Sequence, residues 1–435
     1  MRIAFLGICA QGHLNPMTAL ARELQSRGHD VVFISLADAE PFVRAAELTF
    51  VPCCEKEFPA GSFNELVRQL SKLQQEEALQ FTNQAALAMT EAKLNSLPAT
   101  LAAAGADAIV LDTWQYYVEL VPMKLGMPYV HVSNALHFDY TGQTPLCYYD
   151  WPHETSHPAL ARNCKSVEYF AEFLARASAV IRSYAEHAGL KVDWANPYAT
   201  LSKLAWLSQT PKEFDFPSSH LPPQFHHTGP FHDGTGRIDA DFPWEQLTGE
   251  PVIYASMGTV QNGLANVFRT ITAGVAPHQG VQLVLSVGNH LDPEEIGPVP
   301  SNTIIVSRAP QLELLKRTSV CITDAGLNTV LEALTQGVPQ VAIPVTNDQP
   351  SVAARIAAKK TGLFVPLKEL TAPRLSRLVD EVLKNPIYRD NALYFHKIIA
   401  ETNGLSAAAD RLEQAFGLNQ KASEDCAILE SHFEG

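Results

Sequence analysis

Short β-branched runs alternate with helix-period segments along this chain, stop, and then start again. Ile3–Gly7 is an apolar run, a helical stretch follows from Pro16 to Arg27, and Gly28 halts it before Val31–Ile34. Ala108–Leu111 and Tyr129–Val132 continue the series. Strands that are apolar at consecutive positions are buried on both faces, which predicts a parallel sheet covered by helices. Residues 60–100, rich in Gln, Leu and Ala, are predicted as helices inserted beside that sheet. Residues 211–235 break the rhythm with Pro, His and Gly. Beyond them Val252–Ser256, Val281–Val287, Thr303–Val306, Val320–Thr323 and Val341–Pro344 restart it. The expected fold class is therefore α/β, with two doubly wound Rossmann-like domains facing across a cleft. The expected division is a first domain over 1–210, a linker over 211–235, a second domain over 236–400, and a C-terminal helix and tail over 401–435. Ligands of such sheets bind at the carboxyl ends of the strands.

Charge and cysteine usage narrow the partners. Lys and Arg number 32 against 46 Asp and Glu, a formal net charge of −14. A surface that acidic repels phosphate backbones and anionic lipid, so nucleic acid is not an expected partner. No apolar run is long enough for a transmembrane segment, while peripheral membrane contact stays open. The opening MRIAFLGICA carries one early Arg and runs into polar QGHLNP, which reads as a strand entering a loop and not as a signal peptide. Seven Cys without a CxxC pair, two of them adjacent at Cys53–Cys54, point to reduced thiols and a cytoplasmic location. His153, His157, His226 and His227 lack partners at metal-ligand spacing, so no metal site is expected.

Two stretches carry candidate chemistry. In Gly7–Pro16, GICAQGHLNP, the GxGxxG spacing of a dinucleotide site is absent. His13 stands there beside Gly12, where the first strand opens towards the cleft. It is either a satisfied structural histidine or a base, and a base needs a partner that fixes its tautomer. Asp112, at the end of the Ala108–Leu111 run, is the natural one, and such a dyad works as a general base near neutral pH. The second stretch is Arg308–Gln349. Ala325–Gly326 is a tight turn, and the helix predicted over Asn328–Gln336 points free N–H groups and its dipole at the cleft, a place for a diphosphate. Asn328 and Thr329 add donors, Glu332 suits a ribose diol, and Asp348 and Gln349 suit sugar hydroxyls. His137, Phe138, Tyr140, Tyr148, Tyr149 and Trp151 form an aromatic stretch that serves either a flat acceptor or the core.

The Arg308–Gln349 run resembles the donor-binding signature of UDP-glycosyltransferases, inverting enzymes of the GT-B fold. Its AGLNTVLEAL, GVP and NDQP wording is most similar to the bacterial zeaxanthin glucosyltransferase branch. GICAQGHLNP, the Asp112 strand end and YASMGT fall in the family's order. The resemblance implies transfer of a hexose, glucose first, from a UDP-sugar to a hydroxyl of a hydrophobic small molecule such as a carotenoid or phenol. Another donor, UDP-GlcNAc or a dTDP-sugar, is the alternative. It implies His13 as the base and Asp112 as its support. It implies Ala309 and Gln311 at the uracil edge, with Arg308 where plant relatives stack a Trp. Glu332 is implied at the ribose, Asn328, Thr329, Gly326, Gly258 and Thr259 at the phosphates, and Asp348 and Gln349 at the sugar. The UDP-sugar is a co-substrate, and neither cofactor nor metal is implied. His137, Phe138 and Tyr140 are the acceptor candidates. Asp324 departs from the family, which has a histidine donor there. The carboxylate either caps the following helix or opposes the diphosphate, and in the second case the chain is an impaired nucleotide-sugar-binding protein.

Overall fold

The computed structural model describes residues 1–71, 73, 75–258, 263–288 and 291–418. Its first sheet comprises β1 (Arg2–Leu6), β2 (Asp30–Ser35), β3 (Thr49–Pro52), β4 (Ala108–Asp112), β5 (Tyr129–Ser133), β6 (Trp206–Ser208) and β7 (Phe225–His227). These strands lie parallel in the order β3-β2-β1-β4-β5-β6-β7. The second sheet holds β8 (Val252–Ser256), β9 (Gln282–Ser286), β10 (Thr303–Val306), β11 (Thr318–Thr323), β12 (Gln340–Ala342) and β13 (Gly362–Phe364). They run parallel in the order β10-β9-β8-β11-β12-β13. Both orders reverse direction beside their first strand, at β1/β4 and at β8/β11, and crevices open at such points. Leu6 pairs with Leu111, so the segments carrying His13 and Asp112 leave adjacent strand ends. Thr323 pairs with Ser256 and Ala342, which brings Gly258, Asp324 and Asp348 to one edge in the same way.

Two boundaries differ from the sequence reading. The first helix spans Gln11–Ser26, so the segment expected as a loop is its first turn, and His13 sits there. Pro16 lies inside that helix and has no N–H for the Gly12 carbonyl four residues back. The carbonyl is satisfied instead by Asn328 Nδ2 from the second domain at 2.5 Å. The second difference is the linker. Phe225–His227 is not linker but β7, paired on β6 through Trp206 and Phe225, so the first domain extends past 211. A three-residue strand that follows Pro222-Pro223 and contains His226-His227 lacks the apolar length that would mark it in a sequence.

The domains share a core. Leu136, Phe138, Leu146 and Phe214 of the first pack with Leu327, Val330, Val352 and Phe395 of the second. A buried ion pair joins them too: Arg355 Nε and Nη2 donate to Asp215 Oδ1 at 2.9 and 2.8 Å. Burial alone would raise Asp215, but Arg355, His137 and His227 outweigh it and hold the carboxyl at about 2. The last described helix, Gly404–Ala415, returns to the first domain, where Ala408, Ala409 and Leu412 join the core under Gln11–Ser26. Arg27 secures it through Asp410 at 2.6 Å and Glu413 at 3.2 Å.

Candidate active site

The cleft between the sheets encloses about 1360 Å³ and is lined from both domains. On the first-domain wall His13 Nδ1 lies 2.7 Å from Asp112 Oδ2. A carboxylate can only accept, so the proton sits on Nδ1 and leaves Nε2 with a lone pair. Asp112 is fully buried and also accepts from Asn134 Nδ2 at 2.8 Å and the Trp114 N–H at 2.9 Å. Burial opposes its charge, but His13, Asn134 and Trp114 prevail and keep it below the ordinary carboxylate range. Burial likewise opposes a charge on His13. Asp112, with a further push from Asp348, overcomes that and holds the imidazole above 6.5.

The second-domain wall is built on the helix Leu327–Thr335. Its first internal bond is from the Val330 N–H to the Gly326 carbonyl, so the N–H groups of the preceding turn are open to the cleft. Glu332, one turn in, accepts from Arg237 Nη2 at 2.6 Å and Gln311 Nε2 at 2.7 Å. Burial would raise Glu332, and Arg237 leads the groups that hold it down. Gln311 Oε1 accepts from the Tyr254 hydroxyl at 3.0 Å. Gln349 Oε1 accepts the Val345 and Thr346 N–H groups, and its Nε2 donates to Asp324 Oδ2 at 2.7 Å. Asp348 Oδ2 accepts the Leu136 N–H at 2.8 Å, across the domain boundary, and burial raises its pKa.

Asp324 is buried, and it does not cap the following helix: its bond there is to the N–H of the N-cap residue itself, and no side chain bonds a helical N–H at that end. Its Oδ1 accepts the N–H of Gly326, the N-cap of the helix, at 3.1 Å and the Thr323 hydroxyl at 3.3 Å. It also lines the cleft against Gly258, where a Cβ would run into Oδ2. Gly258 has φ +71°, a left-handed backbone that suits glycine as well. Burial, with a push from Asp348, raises the Asp324 carboxyl to about 6. The turns on either side are strained: Ala325 has φ +67° and Asn347 φ +54°.

The structure brings His13, Asp112, Gly258, Arg308, Ala309, Gln311, Asp324, Gly326, Asn328, Thr329, Glu332, Asp348 and Gln349 to this one cleft, with Asp112 behind the lining and supporting His13. Thr259 lies outside the described residues. Three of these side chains are engaged differently from the expectation, one of them Gln349, whose amide is held by the Val345 and Thr346 N–H groups and by Asp324. Asn328 is a tie between domains, donating to Gly12 and accepting from Gln209 Nε2 at 2.8 Å, so its amide is not free for a phosphate. Gln311 orients Glu332 instead of presenting its amide to a base.

The acceptor candidates need correction. His137, Phe138 and Tyr140 do not line the cleft. His137 is buried between Trp206 and Phe225, 3.6 Å from Asp215, with its pKa lowered by burial. Phe138 stacks on Tyr140 and Phe170 in the shared core. Their apolarity serves packing. Of that aromatic stretch only Tyr148 reaches the cleft, bonded to Tyr116 at 3.0 Å and joined on the wall by Trp114. Arg237 was not legible either. It sits in an irregular segment, Gly234–Asp241, that borders the cleft after the first domain ends.

Two doubly wound domains, a shared cleft and an open helix N-terminus beside a buried Glu define a glycosyltransferase of the GT-B fold. Residues 169–402, more than half of the chain, match the family model described as UDP-glucoronosyl and UDP-glucosyl transferase, and the chain belongs to that family. Residues 3–111 match the glycosyltransferase family 28 N-terminal domain. A zeaxanthin glucosyltransferase of Pantoea ananas is 27% identical over 94% of each chain. The demethyllactenocin mycarosyltransferase of Streptomyces fradiae is 26% identical over 94% of this chain and 86% of its own. Among solved structures, the kitacinnamycin glycotransferase aligns with a TM-score of 0.71 at 22% identity, covering 95% of this chain and 98% of its own. VinC in complex with DTDP aligns at 0.68 and 19%, covering 95% and 99%. Those two likenesses concern the fold. Among the described residues no helix is long and apolar enough to cross a membrane, and no group of three or more His, Cys, Asp or Glu is placed to hold a metal ion.

Proposed function

We propose that the chain transfers a hexose, glucose first, from a UDP-sugar to a hydroxyl of a hydrophobic small molecule, inverting the anomeric centre. The observation that carries this reading is the His13–Asp112 pair facing, across one cleft, the open N-terminus of Leu327–Thr335. His13 Nε2 takes the acceptor proton, and Asp112 stabilises the imidazolium that forms. The acceptor oxygen bonds to the anomeric carbon as the bond to the diphosphate breaks, and that electron pair leaves with UDP. Backbone N–H groups of the helix's first turn offset the charge developing on the diphosphate. A single in-line displacement inverts the configuration. The assay is UDP-glucose with a panel of phenols, read as product mass, with the anomer assigned by NMR. A dTDP-sugar preferred over UDP-glucose would replace the donor assignment. Full activity in EDTA is expected, and a strict Mg²⁺ requirement would count against a metal-free mechanism.

The donor assignments are separable by calorimetry. Glu332→Ala removes the acceptor proposed for the ribose, which UDP and UDP-glucose share, and is expected to weaken both about tenfold. Gln349→Ala is expected to weaken UDP-glucose while leaving UDP within about twofold. Equal losses for both ligands in the Gln349 variant would remove its sugar-facing role.

A further inference from the structure

Lys93 is a cation on an apolar stripe. Met89, Lys93, Leu97 and Leu101 follow at four-residue spacing along the helix Gln75–Ala104, and Lys93 is only 5% exposed. It nonetheless lines the cleft, together with Phe63, Val67, Phe81 and Tyr116. Its Nζ donates to Gln115 Oε1, and Gln115 Nε2 donates in turn to the Leu6 carbonyl at 2.7 Å. The partner is thus a neutral amide. Among the described residues no carboxylate oxygen lies within 4.0 Å of Nζ. A buried charge ordinarily has an opposite charge beside it.

The neighbouring groups do not supply one in the cleft. Burial pushes the Cys9 thiol up, and the Cys53 thiol is raised by its bond with Cys54 and by burial, so both stay neutral. The Cys54 thiol is lowered to about 7, chiefly by Cys53 and in smaller part by Ser96 and Lys93, but it is bonded to Ser96 Oγ at 3.1 Å and lies behind the cleft wall, so it leaves the cleft-facing side of Lys93 without an anion. Asp38, which faces Cys9, accepts the Gly61 N–H and Asn64 Nδ2.

We propose that Lys93 docks an anionic group of the acceptor, a carboxylate, so that the acceptor is a hydroxylated aromatic acid. The proposal rests on the glycosyl-transfer reading of this cleft. The Gln115 N–H donates to the Asp112 carbonyl at 3.1 Å, closing a turn. The group that holds Lys93 and the group that holds His13 therefore stand at the two ends of one turn. In this proposal the hydroxyl of a one- or two-ring acid meets His13 Nε2, its carboxylate meets Lys93 and its rings lie on Phe63 and Val67, all of which line the cleft. A net charge of −14 repels anions from the surface in general, so a preference for an acid has to come from a local cation.

The test is direct binding of 4′-hydroxybiphenyl-4-carboxylate and of its methyl ester, by calorimetry at pH 7.5 with UDP present. Wild-type protein is expected to bind the acid about tenfold more tightly than the ester. Lys93→Met erases that preference and Lys93→Arg keeps most of it. An equal or weaker affinity for the acid, no binding of either compound, or a preference that survives Lys93→Met overturns the proposal. If Lys93→Met does not fold, as judged by its melting curve, the wild-type contrast alone decides. Transfer from UDP-glucose to the ester is followed separately. Failure there with the acid preference intact removes the transfer reading and leaves the docking site.

Discussion

His13→Ala is expected to lower kcat by about 10²- to 10⁴-fold, the range for loss of a positioned general base. The His13 ring contacts Asp112 on the first-domain wall of the cleft, and the groups proposed to hold UDP belong to the second domain. UDP-glucose affinity is therefore expected to stay within about twofold. A variant with near wild-type kcat at neutral pH would end the base assignment. The pH profile provides a second check with a definite sign. Only the neutral imidazole accepts a proton, and Asp112 holds the His13 pKa above 6.5, so turnover falls as pH drops through that raised value. Asp112→Asn removes the charge that favours the imidazolium. The His13 pKa then falls, the acid limb moves to lower pH, and kcat falls as well because the imidazolium loses its support. An acid limb that does not move, or moves to higher pH, would show that another group titrates.

The fold was legible because burial on both faces leaves a strong trace. β1, β2, β4 and β5 are nearly continuous apolar runs, and so are β8 and β9. β7 left none, since its three half-buried residues, Phe225–His227, are ordered by pairing on β6 and not by their own pattern. The second-domain wall of the cleft was legible for a related reason. Most of the residues expected there sit within one 42-residue stretch, Arg308–Gln349, whose turn and helix N-terminus are local features, while Arg237, outside it, left no such trace. The first-domain wall is assembled from distant segments, with Phe63, Lys93, Trp114 and Tyr148 each meeting the cleft from a different part of the chain. An aromatic residue in such a segment reads the same whether it faces solvent, ligand or core. Phe138 and Tyr140 illustrate this, packed on Phe170 behind the wall that they were expected to form. Lys93 did carry a signal, a charge at an apolar-stripe position, but composition hides one Lys in a helix rich in Ala and Leu.

Asp324→Asn is expected to tighten UDP-glucose binding about ten- to hundredfold at pH 8 and to change it little at pH 5. The wild-type carboxyl sits at about 6, so it is ionised at pH 8 and neutral at pH 5. Ionised, it sets a negative charge beside Gly258 and the helix N-terminus, where the diphosphate is proposed to lie. Neutral, it has a proton to donate, and one hydrogen bond to a charged group contributes about 1.5–3 kcal/mol, the origin of the expected range. UDP-glucose is the right ligand because its diphosphate, unlike that of UDP, has no terminal phosphate titrating near 6. His13 also gains charge as pH falls, so the comparison belongs in a His13→Ala background, with Asp348→Asn as a second control because burial raises that carboxyl too. Stability has its own sign. A carboxyl raised from 3.8 to about 6 on folding contributes stability that is fully present below 3.8 and lost as pH rises through 6. The loss at pH 8 is on the order of 3 kcal/mol for so buried a group. Asparagine recovers only part of it. Gln349 is held by the Val345 and Thr346 N–H groups and cannot turn over, so the Asn oxygen serves either Gln349 Nε2 or the Gly326 N–H and leaves the other donor unmet. A variant that melts higher at pH 8 without tighter donor binding would place the cost of the charge in folding alone. Asp324 would then serve only to tie Gly326 and Gln349, with its carboxylate clear of the diphosphate.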